Sequence, residues 1–195
     1  EYLEENISKD KVRYCVRFIK NLKYCDFIIN KKSNYETWKE KLSKVFIQSD
    51  FHTKFDAIKM IGKGSFARVY LVQDNKTNLK YAVKAFSKEY LQSQTKGKES
   101  LMNEILIMKA LNHPNVMKLE EIHESKNSIY LVLELLEGGE LLNYILRKKN
   151  LKYKDYWRVM KCIMEALSYM DSKKIMHRDL KPDNMILKEK DNLSN

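Results

Sequence analysis

The order in which elements follow one another between Phe55 and Lys173 constrains the fold of this chain most. Alternating apolar and polar residues mark short strands over residues 55–62, 67–73 and 81–86. A helical pattern over 99–111 then puts Leu101, Ile105 and Met108 on one face. Two more strands follow over 118–124 and 129–135, and helical spacing fills 140–148 and 154–173. A sheet that needs its face covered, interrupted by one amphipathic helix and succeeded by helices, predicts an α+β fold: a five-stranded sheet with one main helix, then a helical region.

Chemically capable residues sit at the joints of that order. Gly62-Lys63-Gly64-Ser65-Phe66-Ala67-Arg68-Val69 spans the first strand pair. Glycines without Cβ let backbone lie over a phosphate and donate N–H groups to it, although two glycines alone make no more than a turn. Tyr81-Ala82-Val83-Lys84 places a lysine among apolar neighbours, where a cation needs a carboxylate. Glu104, three and four residues from Leu101 and Met108, borders the buried face and can supply it, with Glu99 as the other choice. Near the end, His177-Arg178-Asp179-Leu180-Lys181-Pro182-Asp183-Asn184 gathers an acid, a cation and an amide in eight residues.

This series resembles the eukaryotic protein kinase family, whose catalytic loop reads H-R-D-x-x-x-x-N and whose lysine strand reads V-A-I-K. The resemblance implies a kinase N-lobe over residues 51–136, and a hinge exit with the beginning of the C-lobe over 137–195. It implies ATP and Mg²⁺ as cofactors and a protein hydroxyl as acceptor. By the same resemblance Asp179 would take or orient the hydroxyl proton, Lys181 would stabilise the transferred γ-phosphoryl, and Asn184 would offer Mg²⁺ a neutral oxygen. Gly62 and Gly64 would cover the phosphates and Lys84 would contact them, held by Glu104. Ile61, Val69, Ala82 and Ile186 would enclose the adenine, Leu133 would stand as gatekeeper, and backbone groups at Glu134 and Leu136 would bond its edge. Glu140 would contact the ribose and a substrate arginine, unless it serves only as an acid at the start of its helix. Ala67 departs from the family pattern, which has a third glycine there.

Lys181 and the stretch Glu137-Gly138-Gly139-Glu140-Leu141 resemble serine/threonine kinases of the calcium/calmodulin-dependent and AGC groups. The Asp-Phe-Gly metal-binding segment does not occur among the 195 residues. The expectation is therefore an incomplete portion of a kinase, inactive by itself, with apolar surface left uncovered on its helical part. Intact Lys84 and Asp179 weigh against the alternative of a non-catalytic kinase-like scaffold.

Residues 1–50 have a different character. Val12, Tyr14, Val16 and Phe18 alternate with Arg13, Cys15 and Arg17 as a half-buried strand does, a turn falls at Asn21, and Tyr24–Ile29 reads as a second strand. Ser33-x-x-Glu36 has the form of a capping box, and Trp38, Leu42, Val45 and Phe46 follow at helical spacing. Over roughly residues 9–48 this resembles the C-terminal end of a pleckstrin-homology domain, and the resemblance implies that Trp38 packs into the core. A lipid-targeted adaptor is thus another alternative. Lys11, Arg13, Arg17, Lys20 and Lys23, with no acid within residues 11–24, suit a phosphoinositide membrane surface, but a solvated strand face explains the same residues and is the preferred reading.

Lys and Arg number 37 against 26 Asp and Glu, a formal charge of +11, yet no motif of a nucleic-acid module is present and no nucleic-acid partner is expected. Cys15, Cys25 and Cys162 are an odd number with no C-x-x-C pair and no nearby histidine at zinc spacing, which suggests reduced, mostly buried thiols. The expected location is cytoplasmic, in association with a membrane or an assembly, and the partners are protein substrates with basic residues near the target site.

Overall fold

The computed structural model describes residues 2–8, 11–20, 23–64, 66–148, 150–190 and 193. The expected turn at Asn21, and Ser65 of the glycine-rich stretch, lie outside these residues. Three antiparallel strands open the chain: β1 (Tyr2–Ser8), β2 (Lys11–Lys20) and β3 (Lys23–Ile29), in that order across the sheet. Helix α1 (Lys32–Ser43) follows. It lays Tyr35 against the sheet, 2% exposed, with its ring 5.1 Å from that of Tyr14. Trp38, expected in the core, is 54% exposed, because it lies about 60° round the helix from Tyr35, on the side away from the half-buried Lys39 and the buried Ser43. The capping box does not form either: the helix starts two residues earlier, with Lys31 as an N-cap that makes no side-chain cap bond.

A two-residue strand β4 (Ile47–Gln48) and a short helix α2 (Phe51–Lys54) connect this module to the main sheet. The sheet also contains β5 (Phe55–Lys63), β6 (Arg68–Asp74), β7 (Lys80–Ser87), β8 (Leu119–Glu124) and β9 (Ser128–Glu134). Its order is β4-β8-β9-β7-β6-β5, so the five expected strands gain a sixth, since β4 pairs parallel with β8. Two helices lie between β7 and β8: α3 (Lys88–Ser93), capped by the Ser87 side chain, and α4 (Gly97–Ala110).

Strand alternation divides the apolar residues between two faces. Leu131 and Leu133 join Phe86, Leu101, Ile105 and Ile122 under α4. Val132 points the other way and joins Val72, Val83, Phe51 and Phe55. The central residues Val83, Leu131 and Val132 are fully buried, as the middle of a twice-covered sheet requires.

Beyond the sheet come β10 (Gly139–Glu140), α5 (Leu141–Arg147), α6 (Tyr153–Ser172), a 3₁₀ turn at Pro182–Asn184 and β11 (Ile186–Leu187). β10 and β11 pair antiparallel, which brings the segment after Asn184 back beside the exit from β9. Gly138 and Gly139 make this approach feasible. A Cβ on Gly138 would meet Leu187 Cβ at 2.5 Å, and Gly139 has φ +77°. Leu141, Tyr144 and Leu187 bury the joint. Tyr156, Trp157, Met160 and Met164 on α6 are more than half exposed, in line with the expected uncovered apolar surface. Cys15 is buried and Cys162 half-buried, while Cys25 is exposed on β3.

Candidate active site

The site begins at the β5–β6 hairpin. Gly64 N–H donates to the Ala67 carbonyl at 2.9 Å and closes the turn. A Cβ on Gly62 or Gly64 would make only ordinary contacts, with Val69 at 3.4 Å and the Ala67 carbonyl at 3.5 Å. The hairpin therefore folds without demanding glycine, and what the two glycines add is bare backbone on the open side of the turn. Ala67 in turn is buried with Phe86 and Leu101, so its methyl group does packing work that a third glycine could not do.

β6, β7 and β9 are adjacent strands, and Lys84 is paired with Val69 on one side and Leu131 on the other. Its Nζ reaches Glu104 Oε1 of α4 at 2.7 Å and lies 5.1 Å over the Phe86 ring. Burial of Leu101 and Ile105 beneath α4 turns Glu104 toward the sheet and excludes Glu99 from the role, as the helical spacing predicts. Both side chains keep about a third or more of their surface open, so the pair borders a cleft rather than filling a core.

At the exit from β9, Glu134 N–H already donates to the Lys118 carbonyl and Glu134 Oε1 accepts from Lys118 N–H at 2.7 Å. Glu134 consequently has no backbone donor to offer a ligand, which narrows the expected hinge contact there to its carbonyl. Leu136 and Ala82 are half-buried, whereas Ile61 and Ile186 are exposed apolar residues of the kind a flat ring would cover. Glu140 is the N-cap residue of α5, with its carboxylate accepting from the Asn143 side chain at 2.9 Å rather than capping the helix.

The octet folds as one unit. Asn184 Nδ2 donates to both the carbonyl and the Oδ2 of Asp179, each at 2.8 Å, and Lys181 Nζ lies 3.0 Å from the same Oδ2. Asp179 N–H donates to His177 Nδ1, and Arg178 takes φ +67° to make the bend. Lys181 and Asn184 bonds hold the Asp179 carboxyl below the usual carboxylate range, so at neutral pH it is an acceptor. It is 66% exposed and can therefore reach an incoming hydroxyl. Asn184, with its amide nitrogen committed to Asp179, retains Oδ1 as a neutral hard oxygen that suits Mg²⁺.

An apolar cavity of about 450 Å³ lies beside this machinery and borders Glu134, Leu136, Asn184 and Ile186. It includes neither Lys84 nor the glycines; its lining is mostly apolar, with Met108, Leu167 and Met170, and also takes in His177 and Lys188. Sequence motifs signal every charged residue of the site; they do not show that Ala67 is core or that Glu134 is tied to Lys118.

Comparison with known proteins places these residues in a wider setting. The model of the protein kinase domain matches residues 55–194. Calcium-dependent protein kinase 4 of Plasmodium falciparum is 40% identical over 149 residues, 75% of this chain and 28% of its own length. Myosin light chain kinase A of Dictyostelium discoideum is 38% identical over 135 residues, 68% of this chain and 44% of its own length. The chain thus spans less than half the length of these curated relatives.

Proposed function

This chain belongs to the protein kinase family, and from that premise we propose that its protein transfers the γ-phosphoryl group of ATP to serine or threonine hydroxyls of other proteins. The observation that carries this reading is the octet, in which one carboxylate is kept ionised, exposed and fixed by Lys181 and Asn184. Asp179 accepts a hydrogen bond from the substrate hydroxyl and orients it for attack, taking its proton as the oxygen bonds to phosphorus. Lys181, beside the same oxygen, sits where it neutralises charge on the migrating phosphoryl group. Lys84, aligned by Glu104, holds the phosphates, while the backbone around Gly62 and Gly64 covers them. Ile61, Val69, Ala82 and Ile186 enclose the adenine, and the Glu134 carbonyl and Leu136 backbone bond its edge. Asn184 Oδ1 would help to hold Mg²⁺, which would supply charge neutralisation for the phosphoryl transfer.

Substrate choice rests on Glu140, whose exposed carboxylate fits a basic residue near the target hydroxyl. Transfer from γ-labelled ATP to serine, threonine and tyrosine peptides, each with and without an arginine upstream, tests this. Labelling of basic serine or threonine peptides is expected. Preferential labelling of tyrosine peptides would remove the assignment.

A second, narrower reading concerns location. Lys20 and Lys23 are directly paired across the β2–β3 hairpin and both are exposed, an arrangement that like charges disfavour unless an anion joins them. It favours an anionic phosphoinositide headgroup at the N-terminal module (residues 1–50), with the protein at the cytoplasmic face of a membrane. Flotation with vesicles containing phosphoinositide, lost in a Lys20→Glu, Lys23→Glu variant, is the expected result; binding to neutral vesicles alone would dismiss it.

A further inference from the structure

The segment joining the two modules touches more of the molecule than a tether needs to. Val45 accepts a hydrogen bond at its carbonyl from Lys109 Nζ of α4. Phe46 meets Phe18 of β2 edge to face, with centroids 5.0 Å apart. Ile47 and Gln48 pair with Ile122 and His123 of β8. Asp50 Oδ1 stands 3.2 Å from His123 Nδ1, and Phe51 stacks flat on Tyr130 of β9 at 3.9 Å. Lys54 Nζ lies 2.6 Å from both oxygens of Glu121, which itself meets His123 Nε2 at 2.9 Å. Residues 45–54 thus bind the N-terminal sheet, the edge of the main sheet and the helix that carries Glu104.

The contact with α4 has a mechanical consequence. Glu104 and Lys109 are five residues apart, about 140° around the helix. Glu104 is pulled toward Lys84 on one side while Lys109 is held by the connecting segment on another. Two charged contacts in different directions fix both the rotation and the lateral position of the helix.

We propose that residues 45–54 form a clamp that sets the position of α4, and that Lys109 is the positioning residue through which the clamp keeps Glu104 in register with Lys84. The clamp rests on the kinase reading for its effect on catalysis, but its effect on the helix does not. Displacing the N-terminal module, which shares Phe46 with it through Phe18, would loosen α4 and weaken the phosphate grip, so the two modules are energetically coupled.

Hydrogen exchange on the whole chain, compared among wild type, Lys109→Met and Lys109→Arg, tests the helix; ATP KM and kcat of the full-length protein test the consequence. Lys109→Met is expected to speed exchange over residues 98–110 by roughly three- to tenfold, as an exposed charged hydrogen bond would allow. β6 and β7 should keep their protection, KM for ATP should rise by a similar factor with the melting temperature little changed, and Lys109→Arg should restore both. Unchanged exchange in Lys109→Met, or equal loosening of the whole sheet, overturns the proposal. Exchange that quickens only over α4 in Lys109→Met, in a protein whose wild type shows no transferase activity, would support the clamp and defeat the kinase reading instead.

Discussion

At the scale of single residues, the chemistry depends on contacts between side chains far apart in sequence. Lys84 and Glu104 are twenty positions apart and meet at 2.7 Å only because β7 and α4 pack on the same core. Lys84→Met removes the cation without disturbing strand pairing, and turnover of ATP should fall about a hundredfold with circular dichroism unchanged. An equal loss of folded structure would show that the lysine is mainly structural. Within the octet the roles are separable: Asn184→Ala should leave Asp179 with one partner fewer and weaken Mg²⁺ binding. The Mg²⁺ concentration for half-maximal rate should then rise, and an unaltered requirement would remove Asn184 from the metal site. These residues are readable from sequence because each carries a charge or amide in a short motif. The commitment of Glu134 to Lys118 is not, since it depends on which side of β9 an irregular loop happens to run.

At the scale of elements, strand and helix periods disclose most of the sheet, α4 and α6, because each carries its apolar residues at a regular period, whether that stripe is buried, as Leu101 and Ile105 are on α4, or left largely exposed, as on α6. β4 and α2 give no such signal: with two and four residues they are too short to show a period, and they form through tertiary contacts with β8 and β9. Trp38 escapes the sequence pattern for a related reason, since helical spacing defines a stripe but not which of its aromatic residues meets the sheet. The α4 core is directly testable. Ile105→Ala should lower stability by about 2–5 kcal/mol in denaturant unfolding, whereas truncating the exposed Leu106 should change it little. The α2–β8 joint carries a pH signature. Burial opposes charge at His123, but bonds to Asp50 and Glu121 outweigh it and raise the imidazole above its ordinary value. Burial likewise opposes ionisation of Asp50 and Glu121, yet His123 for the former, and His123 with Lys54 for the latter, leave both carboxyls below theirs. The histidine's contribution is complete below about pH 6.5 and is lost as pH rises through its raised folded value. The carboxylates' contribution is present above about pH 4.5 and is lost as pH falls through their lowered folded values. Melting temperature should therefore be highest between those limits, and His123→Gln should remove the decline on the alkaline side. The same alkaline slope in the variant would contradict the assignment.

For the whole molecule, the organisation is a small three-stranded module and a six-stranded sheet joined by a clamp, followed by α5, α6 and the segment that carries the octet. Family membership follows from residues 55–194, and the order of glycines, lysine, glutamate and octet makes that much legible in the amino-acid sequence. The way the N-terminal module bears on α4 is not legible there, because it runs through a backbone carbonyl at Val45 that no side-chain pattern reports. The central claim is that Asp179 directs phosphoryl transfer from a site built on Lys84 and Glu104. The most direct measurement is the rate of γ-labelled phosphate incorporation into a protein substrate by the full-length protein and by its Asp179→Asn variant at saturating ATP and Mg²⁺. The variant should bind ATP as the wild type does and transfer its γ-phosphoryl group about 10² to 10⁴ times more slowly. Equal incorporation by the two proteins would contradict the account.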